Sequence, residues 1–235
     1  MLLVAALSIL AAWGANSAHA QPSALRVDVT AVIGVLAPLF WPGRGVTSSR
    51  TQLRVVAWSA AAAASAAIAL LVHPAQRWGA VASTCLMLMA ILVLSHAAAA
   101  ALERRWSASS ERDGARELAG RAVAGALAAL GTLPFWFGPA AEALSARHPG
   151  LIDIVVAISP VTHLAVASGN DLLHNPWLYE HSNLALLPVS YPGLGTLAWC
   201  YGSACALLAI AVLASHRPRR AASPLPTDPI QEQSR

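Results

Sequence analysis

The 235-residue chain has no lysine: all 15 of its basic residues are arginine, set against 11 acidic ones. Only 11% of its residues are charged, whereas a soluble domain carries about 25%. A surface wetted on every side needs more charge than this. The shortage excludes an ordinary soluble enzyme, a coiled coil and a disordered chain. Cysteine is scarce too. Cys85, Cys200 and Cys205 lie inside apolar runs with no C-x-x-C spacing; they read as small buried thiols rather than a disulfide framework. No Walker A loop, G-x-G-x-x-G, G-x-S-x-G, H-E-x-x-H or EF-hand pattern occurs. The chain therefore carries no nucleotide, hydrolase or common metal motif of its own, and no repeat of a solenoid or propeller.

What it does carry is apolar length. Hydrophobic residues make up 57% of the chain and its mean hydropathy is +0.57. The expected fold is all-α: a polytopic helical membrane protein with five or six transmembrane helices and a re-entrant segment. Residues 1–20 fit either a secretory signal peptide, with an apolar stretch at 2–13 before Ala18-His19-Ala20, or a first transmembrane helix. Residues 21–215 form the helical transmembrane domain. Within it, 27–41 cover about 22 Å at ~1.5 Å per residue, short of the ~30 Å hydrocarbon core, with Trp41 as an interfacial anchor. Residues 55–73, 79–102, 122–141 and 194–215 are clear spans. Ala61-x-x-x-Ser65 permits close helix packing, and Pro134 to Phe137 resembles an aromatic belt. The most polar segment, 103–121, fits a short surface helix leading into the next span, with Ser110-x-x-Asp113 as a capping box and Glu117–Arg121 as a helical ion pair. Residues 216–235 form a Pro-rich, disordered cytoplasmic tail.

Arginine placement orients the chain. Residues 42–54 hold Arg44, Arg50 and Arg54 without an acid; 103–121 and 216–220 are also Arg-rich. All three belong in the cytoplasm by the positive-inside rule. An inside segment 103–121 and an inside tail need an even number of crossings between them, which 122–141 and 194–215 supply. A further crossing at 151–168 would put Arg217, Arg219 and Arg220 outside. Residues 151–168, interrupted at Ser159-Pro160, are therefore expected to be a re-entrant or interfacial pair of half-helices, with 142–193 on the outer face. The net charge of +4 is then an orientation signal, not a sign of nucleic-acid binding.

The outer region gathers the titratable groups. His163, Asp171, His174, Glu180 and His181 are the candidate metal ligands; an amphipathic loop with Trp177, Tyr179 and Tyr191 at headgroup depth accounts for the same residues. Among the clear spans His96 is the one histidine well inside, and a haem site would need a second at matched depth. The clear spans hold no acid or arginine, which argues against an ion pump acting alone. No catalytic residue and no cofactor is assigned.

The threading itself carries a resemblance. Up to six spans, both ends cytoplasmic, and a polar outer excursion introduced by Ile158-Ser159-Pro160 and Val161-Thr162-His163-Leu164 resemble the permease subunit of ABC-2-type transporters. The final span followed by Arg217 to Arg220 is similar as well. The resemblance implies an inner-membrane permease, homodimeric or heterodimeric in the lipid bilayer, powered by a separate ATPase subunit. Such permeases begin with a basic amphipathic helix that contacts the ATPase, whereas this chain opens on LLVAALSIL. Arg104, Arg105, Arg112 and Arg116 are then the docking candidates. An accessory scaffold protein, or a membrane metal or redox protein using the His-rich loop, are the other readings.

Overall fold

Packing begins from α1 (Pro22–Leu39), α2 (Ser48–Leu71), α3 (Trp78–Trp106) and α4 (Arg112–Trp136). The chain continues through α5 (Gly150–Ile158), α6 (Pro160–Ser168) and α7 (Leu194–Ser215). The computed structural model describes residues 22–41, 48–71, 77–107, 112–137, 150–171 and 189–215, with positions 140, 143, 147 and 148. Among the described residues every regular element is a helix. Residues 1–20 and 216–235 lie outside them.

Three helices among the described residues are long and apolar enough to cross a membrane: Thr51–Leu71, Trp78–Trp106 and Leu194–Ala211. The pair α5–α6 meets the same test as a single element bent by 81°. That bend falls at Ser159, the position singled out by the Ser-Pro sequence; it is the geometry of a broken span or a re-entrant loop. α1 and α4 carry charge inside the helix, Arg26 and Asp28 in the first, Arg116, Glu117 and Arg121 in the second, which shortens their apolar runs.

Two boundaries differ from the sequence expectation. α3 runs on through Glu103-Arg104-Arg105 to Trp106. Its 29 residues extend about 44 Å at 1.5 Å each, past the ~30 Å apolar core. The two terminal arginines suit the negative end of its dipole. α4 begins at Arg112 and is continuous to Trp136, so the surface helix and the following span are one element. Of the proposed capping box, Ser110 lies outside the described residues. The Glu117–Arg121 pair forms at 2.6 Å on the exposed face.

α1 and α3 are the central helices. α1 packs on α2, α3, α4 and α6; α3 packs on α1, α2, α4, α6 and α7. The core joins Val29, Ile33 and Ala37 of α1 to Ala62, Ala66 and Leu70 of α2. Leu88 and Leu92 of α3, Leu164 of α6 and Leu197 of α7 complete it. The small-residue stripe of α2 that faces inward is Ala62-x-x-x-Ala66, not Ala61-x-x-x-Ser65: Ala61 is exposed and the Ser65 hydroxyl donates to the Ala61 carbonyl within its own helix. Both registers offer small residues four apart, and only contact with the partner helix chooses between them. α7 is peripheral. Trp199, Leu207 and Ile210 are largely exposed on it, as side chains facing lipid would be.

α1 and α4 approach closest where Gly120 meets the last turn of α1. A Cβ on Gly120 would lie 2.6 Å from the Pro38 carbonyl oxygen. Gly120→Ala should force these helices apart and destabilise the fold by about 1–3 kcal/mol. Gly125→Ala, where a Cβ meets nothing within 4 Å, gains the same helix propensity without the clash. Thermal melting in detergent should show a lowered Tm for the first variant alone; equal behaviour of the two would remove the close contact from the account.

Candidate functional site at the break between α5 and α6

A helix broken inside a bundle exposes backbone groups that lipid cannot satisfy, so every one of them needs a protein partner. Ser159 is fully buried at the break. It sits in extended conformation as the N-cap of α6, and its side chain accepts from the Thr162 N–H at 3.5 Å. The same hydroxyl donates to the Gly131 carbonyl of α4 at 3.2 Å. Pro160 follows at the first helical position, where its missing N–H costs nothing and its fixed φ suits the turn. Gly131 lets this happen: a Cβ there would lie 2.9 Å from the Val161 side chain.

At the opposite end of α6 the carbonyls of residues 165–168 all have donors. Gly169 adopts the left-handed conformation, φ 69°, and its N–H meets the Val166 carbonyl at 3.2 Å. The Asn170 N–H reaches the Ala165 carbonyl at 2.9 Å. Both belong to the usual way a glycine closes a helix. The Ala167 carbonyl accepts from the Ser83 hydroxyl of α3 at 2.7 Å. The Ser168 carbonyl accepts from the Arg26 guanidinium of α1 at 2.6 Å. Arg26 is 7% exposed, so a buried cation caps the negative end of a half-helix.

His163 locks the two half-helices to each other and to α7. Its Nε2 lies 2.7 Å from the Ala157 carbonyl and its Nδ1 2.8 Å from the Tyr201 hydroxyl. A carbonyl only accepts, so Nε2 carries the proton in the neutral ring. Nδ1 then accepts, and the Tyr201 O–H donates. The Tyr201 ring stands edge-on to the imidazole, centroids 5.5 Å apart.

A second polar cluster surrounds His96 in α3. The ring stacks on Trp41 at 5.4 Å, its Nδ1 is 2.9 Å from the Ser59 hydroxyl, and Nε2 is buried without a hydrogen-bond partner among the described residues. The Trp41 indole N–H donates to Glu103 at 3.0 Å. Trp41 is thus a core residue, 4% exposed, rather than the interfacial anchor its position suggested. His96 and His163 keep separate partners, and no histidine pair suited to haem is seen among these contacts.

The metal candidates are distributed as follows. Both nitrogens of His163 are engaged, and it lies in the first turn of α6, whereas Asp171 lies beyond the other end. Asp171 accepts from the Tyr191 hydroxyl at 2.7 Å. His174, Glu180 and His181 lie outside the described residues. Among the described residues no three His, Cys, Asp or Glu side chains are grouped to hold a metal. The docking candidates sit at the junction of α3 and α4. Arg104 donates to the Ala100 carbonyl at 3.2 Å and Arg105 is exposed; Arg116 is half-buried on α4, and Arg112 opens that helix. Sequence reasoning did not single out Arg26 or Ser83, which donate to the last carbonyls of α6. Arg26 immediately precedes an apolar run, and the only signal for it in the sequence is a lone arginine at the edge of a segment otherwise fit for burial.

No family model, curated protein or solved structure matches the chain.

Removing the guanidinium should uncap α6. Arg26→Gln is expected to cost about 1–3 kcal/mol, as loss of a buried charge-assisted hydrogen bond does, and to speed amide exchange in the α6 backbone. Arg26→Lys should restore part of both. Unchanged exchange in α6 with Arg26→Gln would show that the cap is dispensable.

Proposed function

We propose that this chain is the membrane-embedded, permease-like subunit of a transport complex, powered by a separate ATPase. One observation carries the reading. The second half of the broken pair, α6 with its cap Ser159, is packed inside the bundle and held by four other helices, through Gly131 of α4, Tyr201 of α7, Ser83 of α3 and Arg26 of α1. Irregular backbone at membrane depth occurs where it is buried in protein or lines a cavity. Discontinuous helices of this kind are where transporters build their substrate sites. A rigid scaffold gains nothing from breaking a helix and then satisfying both of its ends.

The accompanying topology has five or six spans in the inner membrane, with α5–α6 as a re-entrant pair and the C-terminal tail in the cytoplasm. The absence of any nucleotide motif in the sequence assigns the energy source to a partner. Arg104, Arg105, Arg112 and Arg116 then form the cytoplasmic docking face at the α3–α4 junction, and the subunit works as a homodimer or heterodimer.

Affinity purification from native membranes should recover an ATPase subunit, and Arg104→Glu with Arg112→Glu should release it while leaving the Tm unchanged. A C-terminal tag should be protected in intact cells. Purification that yields no ATPase, or a tag reached from outside, would overturn the proposal.

A further inference from the structure

The two halves of the broken pair are held by different parts of the molecule. α6 packs on α1, α3, α4 and α7, and its ends are tied to them by buried hydrogen bonds from Ser159 and Arg26. Among the helices, α5 packs chiefly on α4 and α6. Its buried Ile152 and Val156 are covered by residues 189–191, the segment that leads into α7. Val189 packs on both of them, Phe137 on Ile152 and Tyr191 on Val156.

The same three residues supply polar contacts. The Ser190 backbone N–H and hydroxyl both donate to Asp153 Oδ1, at 3.0 and 3.1 Å. The Tyr191 hydroxyl donates to Asp171, just past the end of α6, at 2.7 Å. Residues 189–191 thus form a strap from the first turns of α5 to the far end of α6. Pro192 and Gly193 join the strap directly to α7, and the Leu197 N–H bonds back to the Gly193 carbonyl at 3.0 Å.

The other end of α5 is fastened only at the bend. The Ser159 N–H reaches the Val156 carbonyl at 3.4 Å, and His163 Nε2 lies 2.7 Å from the Ala157 carbonyl. Pro160 has no N–H, so it donates no helical hydrogen bond across the break. Asp153 stands about 9 Å from Ser159 along the helix, at 1.5 Å per residue. At that distance the strap has leverage that the contacts at the bend lack. Its three hydrogen bonds are exposed, where water competes for each partner, so it is a weaker restraint than the buried bonds of α6.

We propose that α5 is the moving half of the broken pair, pivoting at Ser159 while α6 stays fixed, and that the strap 189–191 is the latch that holds it against the bundle. α7 is the element able to work the latch: the strap is its own N-terminal extension, and most of its surface is exposed. The motion reaches a cavity of about 460 Å³ between α3 and α4, because Ile158, at the pivot end of α5, is part of its lining. The latch is independent of any ATPase and of any transported molecule.

Two measurements on the full chain in detergent test it. A nine-residue helix released from its packing does not keep its own hydrogen bonds in water, so exchange of amides 154–158 reports the latch. Asp153→Ala should speed that exchange about tenfold, the effect of losing a hydrogen bond to a carboxylate, and leave amides 162–168 of α6 unchanged. Asp153→Asn, which keeps an acceptor oxygen, should restore most of the protection. Ser190→Ala, which removes the hydroxyl alone, is the milder unlatching variant should Asp153→Ala fail to fold. Spin labels at Ile154→Cys on α5 and Ile68→Cys on α2, both exposed positions, with the three native cysteines changed to alanine, should give one distance in the latched protein and a second, displaced one in the unlatched variant. Equal acceleration of α5 and α6 would make the pair one rigid unit and overturn the proposal. Unchanged exchange in α5, or a single unaltered spin-label distance in the unlatched variant, would overturn it as well.

Discussion

The arrangement of this protein depends on the satisfaction of the backbone ends of α6. A nine-residue helix inside an apolar bundle has polar groups at each terminus and no water to take them. Ser159 serves one terminus from within the chain and ties it to the Gly131 carbonyl. Arg26 and Ser83 serve the other from helices far away in sequence. Each of those contacts also fixes the position of the helix it reaches. α1, α3 and α4 are therefore placed around α6 by hydrogen bonds, while van der Waals packing of alanine and leucine fills the space between them.

Arg26 shows how cost and position combine. An isolated guanidinium buried in protein is expensive. Here it meets the carbonyl end of a half-helix, where the dipole favours a positive charge and a strong acceptor is within 2.6 Å. The histidines obey a related logic. His163 is hydrogen-bonded through both ring nitrogens, a joint between α5, α6 and α7. With both ring nitrogens occupied it has no lone pair to offer a metal ion.

Small residues set the distances. Gly120 admits the Pro38 carbonyl and Gly131 admits Val161, so α4 lies close to α1 on one side and to α6 on the other. Between α3 and α4, Ala98 and Ala126 line an open groove. Larger side chains at these positions would close it.

Composition alone determined that the chain is helical and apolar enough for a membrane, because 57% hydrophobic content in long runs has few other solutions. Local chemistry located the Ser159-Pro160 break, since a proline cannot continue a helix and a preceding serine can cap the next one. The pair Glu117–Arg121 was equally visible, being a contact within one turn of a helix. Tertiary structure decided everything that depends on a partner distant in sequence. It chose Ala62 over Ala61 as the packing face, buried Trp41 against His96 and Glu103, and carried α3 past its expected end at residue 102. It also brought Arg26 to Ser168 across 142 positions. Periodicity reports which face of a helix is apolar, but the identity of the carbonyl that needs a cation exists only once the helices have met.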